Sequence, residues 1–168
     1  MKFKLKNQIA TIILSFLVLW VAIATLCVNV PVALALDYNK ESLLNADFSG
    51  RDLTDSSFNH ANLRNTNLSH TNLQGISLFA ANLESANLEG ANLANATLDS
   101  ARFIKTNLSN AILEGAFAAN ARFDGAIIDG ADFTDVLLRK DEQDKLCKIA
   151  KGTNPTTGRA TRDTLFCA

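Results

Sequence analysis

Residues 81–98 read ANLESANLEGANLANATL, and the leucines at 83, 88, 93 and 98 of that stretch decide the fold. A spacing of five suits neither ordinary element. On an α-helix, residues five apart point about 140° away from one another, so no apolar stripe forms. On a strand, an odd spacing alternates faces and sends every other leucine to water. A constant inward direction needs the chain to turn once per repeat. Short extended pieces joined by regular corners, coiled into an all-β solenoid, satisfy that need.

The pattern extends well beyond the stretch. Every fifth residue from Leu43 to Leu138 is apolar, giving 20 positions without an insertion. Thirteen are Leu, five are Phe (Phe48, Phe58, Phe103, Phe123, Phe133), and the others are Ile128 and Ala118. Of the 19 positions two residues before a centre, from 46 to 136, twelve are Ala and four are Ser or Thr. Gly and Asn recur at the corners, as tight turns require. Two positions break the pattern. Arg51 occupies a small inward slot, and an unpaired guanidinium is too costly in a core, so the first coil is expected to be irregular or open there. Ala118 is the undersized centre, and Phe117 beside it is expected to fold inward to fill the gap.

The chain begins differently. Lys2, Lys4 and Lys6 precede an uncharged run from Ile9 to Val28, then Pro31 and the small residues of Ala33-Leu34-Ala35. That layout is a secretory signal with cleavage after Ala35, or an uncleaved anchor, since about 20 apolar residues can span a bilayer. Either way, the chain from Leu36 onward is exported. The expected organisation is a signal or anchor at 1–35, a solenoid at 36–138 and a cap at 139–168.

Composition narrows the function. The 168 residues carry a net charge of −1, without the cationic footprint of a nucleic-acid binder. Residues 41–138 hold 12 acids against 5 bases, whereas 139–168 hold 7 bases against 4 acids. The only histidines, His60 and His70, fall at corners half a coil apart and read as solvated turn residues. No His stands with a nucleophile in a pocket and no Gly-rich phosphate loop occurs, so no enzymatic activity, cofactor or metal is expected.

In the tail, Asp141 to Lys151 reads as a short helix with Asp141 as N-cap and Gly152 as its stop. A polar loop follows, ending in Leu165-Phe166-Cys167. An open solenoid end exposes core and strand edges, so a cap is expected. It would dock Leu146 and Ile149 on an apolar edge, with Leu165 and Phe166 held near the same patch. Cys147 and Cys167 are the pair left after cleavage, which in an exported chain suggests a disulfide.

The repeat, A-(D/N)-L-x-x over residues 41–138, resembles that of the pentapeptide-repeat proteins. The resemblance implies a right-handed quadrilateral β-helix with four pentads per coil, hence about five coils rising about 4.8 Å each. The implied core stack includes Phe48, Leu63, Leu68, Leu83, Leu88, Phe103, Leu108, Phe123 and Ile128. Residues 20 apart become stacked neighbours. One column is then Asn62, Asn82, Arg102 and Arg122; another is Ser57, Ser77, Thr97, Phe117 and Leu137, with Phe79 on the same side. Phe79, Arg102, Phe117, Arg122 and Leu137 form the candidate interaction surface. The tail resembles that of thylakoid-lumen members of the family from cyanobacteria and plants, at Asn154-Pro155, Thr157-Gly158, Thr161-Arg162 and Cys167. There it implies a small helical cap closed by a disulfide, and the absence of a transit peptide before the signal points to a cyanobacterial chain. The implied role is non-catalytic: a structural or protein-binding module of the thylakoid lumen or periplasm. Its protein partner is unidentified, no nucleic acid is expected, and membrane contact is confined to the N-terminal segment. The alternative is inhibition of a DNA topoisomerase by mimicry of duplex shape and charge. The acidic body keeps that alternative open; export and the short body weigh against it.

Overall fold

The computed structural model describes residues 36–168; the expected leader and its cleavage site at 1–35 lie outside them. Residues 36–138 form one continuous ladder. Each pentad contributes a parallel bridge to the residue 20 positions on, from Asp37–Ser57 through Asn82–Arg102 to Phe117–Leu137. Four pentads therefore complete one coil. The ladder opens one pentad earlier than Leu43: Tyr38 acts as its first centre, stacked on Phe58 at 4.9 Å and edge-on to Phe48 at 5.6 Å.

Each corner is closed by a turn bond such as Ala86 N–H to Leu83 O, 3.0 Å. At all of these corners but those of Asp55 and Asn120 the residue before it is left-handed, as at Ser85, φ 59°. The residue before each centre is commonly Asn or Asp because its side chain braces the turn. Asn82 Oδ1 accepts from the Glu84 amide at 3.2 Å, and Asn92 Oδ1 from the Ala94 amide at 3.1 Å. At Gly90 the left-handed corner has a second requirement. An added Cβ would stand 2.6 Å from Nδ1 of His70, whose ring lies over that corner.

The interior is apolar and layered. Leu63, Leu83, Leu88, Phe103 and Leu108 have no exposed surface, and Phe48, Leu68, Phe123 and Ile128 are buried with them. Phe103 stacks on Phe123 at 5.0 Å between centroids. The threonines in small inward slots satisfy their own hydroxyls. Thr66 donates to Leu43 O at 3.1 Å, Thr71 to Leu68 O at 2.6 Å and Thr106 to Leu83 O at 2.8 Å. A buried hydroxyl without such an acceptor would be destabilising.

The ladder does not open at Arg51. Asn72 N–H donates to Arg51 O at 2.9 Å, and Arg51 N–H to Phe48 O at 3.2 Å. The side chain is exposed, its guanidinium 5.5 Å from the Phe48 ring centroid. Arg51 belongs to the first described coil, so its slot faces water rather than another layer. Phe117 does not fold inward either: it is 46 % exposed, while Ala118 is buried. The position of Phe117, immediately before a centre, belongs to the outward column of Thr97 and Leu137.

Helix α1 runs Lys140–Cys147, shorter than the expected 141–151. Asp141 is not its N-cap; Arg139 holds that position without a side-chain cap. The Asp141 carboxylate is instead engaged by the Arg139 guanidinium at 3.0 and 3.1 Å. A second short helix, α2 at Thr161–Thr164, lies where a polar loop was expected. Leu146 and Ala150 are buried, but Ile149 is 45 % exposed and does not dock. The chain leaves α1 at Lys148 to bring Lys151 O to the Gly130 amide at 2.9 Å, which turns Ile149 outward. Gly152 serves that crossing rather than ending the helix, since a Cβ there would lie 2.9 Å from Gly130 N.

Candidate interaction surface

Phe117 and Leu137 are bridged neighbours on one side of the coil, 46 % and 53 % exposed. Below them in the same column lie Thr97, Ser77 and Ser57, so the apolar character is confined to the C-terminal end. Phe79 is on this side but apart from the pair, with Asp99 in the intervening coil; its ring meets His60 edge-on at 5.4 Å. Asp99 Oδ1 accepts from both the amide and the side chain of Asn120 at 2.9 Å.

Arg102 and Arg122 are bridged to each other on the next side. Neither presents a free cation. Arg102 lies 3.8 Å from Glu84, which Arg64 also approaches at 3.8 Å, and Arg122 pairs with Asp124 at 2.8 Å. Arg122 is the chief cause holding the Asp124 carboxyl below its ordinary range. Such exposed pairs contribute about 0–1 kcal/mol each. The structure thus brings Phe117 to Leu137 and Arg102 to Arg122, but does not gather all five residues into one patch. Ile127, 51 % exposed in a slot where Asn67, Asn87 and Asn107 precede it, was not anticipated.

The C-terminal end is closed by groups that the repeat could not reveal. Glu142 is buried and accepts from the Phe123 amide at 3.4 Å and from Lys145 Nζ at 2.6 Å. Thr164 Oγ1 accepts from the Phe133 amide at 3.1 Å and donates to Thr161 O. The Asn154 amide donates to Gly130 O at 2.9 Å and Asn110 O at 3.1 Å, while its Oδ1 receives the amides of Thr156 and Thr157. Arg159 Nε donates to buried Asp132 at 2.7 Å, and its Nη2 to Glu114. Glu114 is the chief cause raising the Arg159 pKa. Cys147 and Cys167 Sγ are bonded at 2.08 Å, with 5.4 Å between Cα atoms. The available sequence signal was a run of polar residues following a periodic body that needs covering; their pairing depends on the path of the tail.

These side chains can bind and brace. His60 and His70 sit at left-handed corners, φ 59° and 56°. Among the described residues no three His, Cys, Asp or Glu side chains converge as metal ligands, and no helix is long and apolar enough to cross a membrane.

The repeat itself defines a class, that of Pentapeptide repeats, which match over residues 42–78, 76–115 and 101–139. The chain belongs to this family, whose members fold as right-handed quadrilateral β-helices. It is similar to the crystal structure of a pentapeptide repeat protein from the Arabidopsis thaliana thylakoid lumen, with 43 % identity and a TM-score of 0.61 over 79 % of this chain and 86 % of that one. A pentapeptide repeat protein from Nostoc is 31 % identical, with a TM-score of 0.52, over 61 % of this chain and 84 % of that one. Thylakoid lumenal 15 kDa protein 1 of Arabidopsis thaliana is 68 % identical over 40 residues, which are 24 % of this chain and 18 % of that protein. The match thus spans less than a fifth of that curated relative.

Proposed function

We propose that this protein is a non-catalytic interaction module of the thylakoid lumen or periplasm, exported by its N-terminal segment. In this reading about five coils form a rigid post, closed by the disulfide-tied cap, and another protein docks on the side that carries Phe117 and Leu137. The supporting observation is that two large apolar side chains are stacked in neighbouring coils and half exposed, on a body whose other outward positions are mostly Asn, Ser, Thr and Asp. Apolar patches that remain exposed mark interaction sites. The lumenal origin of its relatives supports the compartment. The duplex-mimic alternative lacks a continuous acidic stripe on the side of Asn62, Asn82, Arg102 and Arg122.

A photo-crosslinking residue placed at Phe117 in exporting cells tests the reading, with Asn92 as the control position. The expected result is a discrete adduct from position 117 that is absent from position 92 and lost when Leu137 is changed to Ser. Equal labelling from both positions would overturn it.

A further inference from the structure

Helix α2 ends in a paired hydrogen-bond arrangement: Phe166 N–H donates to Asp163 O and Cys167 N–H to Arg162 O, both at 3.0 Å. The left-handed position of this motif is usually a glycine, because a Cβ is disfavoured there. Here it is Phe166, φ 51°. That ring is also 75 % exposed, more than any other large apolar side chain among the described residues. It gains nothing from the core and occupies a backbone conformation that suits another residue. Strain of this kind persists where the surroundings impose it, and it clusters at functional sites. The surroundings here are the Cys167–Cys147 bond on one side and buried Leu165 on the other.

Phe166 lines more than one hollow. One, about 390 Å3, is lined by Thr134, Arg159, Ala160 and Asp163. Another is lined by Lys140, Asp144, Lys148 and Arg162 beside the disulfide, and there Lys140 neutralises Asp144 at 2.8 Å. Arg162 is held there by donating to Cys147 O at 3.1 Å and Ala168 O at 2.8 Å. Neither Lys148 nor Arg162 meets a carboxylate side chain among the described residues. The tail is the basic part of an otherwise acidic chain, with 7 bases against 4 acids.

We infer that Phe166 anchors a second docking surface, separate from the side of Phe117, for an acidic segment of another protein. An apolar side chain of the partner would pack on the ring, and its carboxylates would meet Lys148 and Arg162. A rigid aromatic anchor within a charged rim is the usual anatomy of a binding hot spot. The hollows that the ring lines suit a protruding peptide segment, which a flat bilayer surface would leave unfilled.

The test uses Phe166→Gly, which relieves the backbone and removes the ring, in the oxidised protein as recovered from exporting cells. The probe is a short peptide of aspartates and glutamates around one phenylalanine, with a lysine-substituted peptide as control. Amide shifts on titration should centre on residues 158–167, be absent with the control, and weaken at least tenfold in Phe166→Gly. That variant should melt no lower than the parent. Binding unaffected by the substitution, or a Phe166→Gly protein that melts lower and still binds, would overturn the inference. So would Phe166-dependent binding to phosphatidylglycerol vesicles without peptide binding, or Phe166-dependent self-association on gel filtration without it.

Discussion

The carboxylate of Glu142 takes the place of a main-chain oxygen above Phe123. In the coils below, Leu83 N–H donates to Arg102 O at 2.9 Å and Phe103 N–H to Arg122 O at 2.7 Å; Phe123 N–H, next in that series, donates to Glu142 Oε2 at 3.4 Å. On another side Thr164 Oγ1 does the same for Phe133. The cap therefore continues the ladder with side-chain atoms.

Glu142→Ala should leave the Phe123 amide buried without an acceptor, a loss of about 1–3 kcal/mol. Glu142→Gln keeps an oxygen in place and should lose less. Urea unfolding of both variants, with exchange of the Phe123 amide followed alongside, separates the effects. Identical stabilities would show that the oxygen is dispensable.

Leu88→Asp should prevent folding. Leu88 has no exposed surface and lies in a stack of apolar layers. An unpaired carboxylate there carries a desolvation penalty of at least several kcal/mol, added to about 1.5–3 kcal/mol of lost leucine burial. Circular dichroism and thermal melting read the outcome, and a soluble variant with a cooperative melt would contradict the inward placement.

Acid should weaken the grip of the cap through Asp132. Burial acts to raise this carboxyl, yet hydrogen bonds from the Thr134 hydroxyl and amide, with Thr157 and Arg159, outweigh it and hold the carboxyl below its ordinary range. A group depressed in the folded state stabilises at pH above its unfolded value, and that contribution is lost as pH falls through the folded value. Stability should therefore decline on acidification below about pH 4. Asp132→Asn should melt lower than the parent at neutral pH and show a shallower acid limb in melting temperatures measured across that range.

Reduction should loosen residues 139–168 before the coils. The bond closes a loop between residues 20 apart and contributes about 3 kcal/mol in the chain-entropy picture. Helix α1 has only 8 residues, too short to persist alone. The body keeps its own main-chain ladder. Amide exchange with and without reductant distinguishes the regions, and equal exchange of the tail in both states would sink the idea of a covalent clasp.

The body was legible because one repeated rule, an inward centre every five residues, acts at each position independently. Leu83 and Leu88 need no knowledge of distant sequence to be placed inside. Arg51 and Phe117 were misread because each was judged against an interior slot: Arg51 lies exposed at the first described coil, and Phe117 stands in the outward column of Thr97 and Leu137. The tail was less legible still. Asp141 looked like a cap until Arg139 claimed it, and the partners of Glu142, Asn154 and Arg159 within the solenoid body lie 19 or more residues away.

Since four pentads close one circuit, the corner count between two points in the chain sets the compass bearing of one relative to the other. Inserting a single pentad near Ala91 would leave every local bond type intact yet rotate Phe117, Leu137 and the whole cap by about a quarter turn against the N-terminal coils. Inserting four would restore the bearing and lengthen the post by about 4.8 Å. A lineage gaining or losing pentads can thus redirect its contact surfaces without altering any residue in them, so gene length alone becomes a dial on geometry.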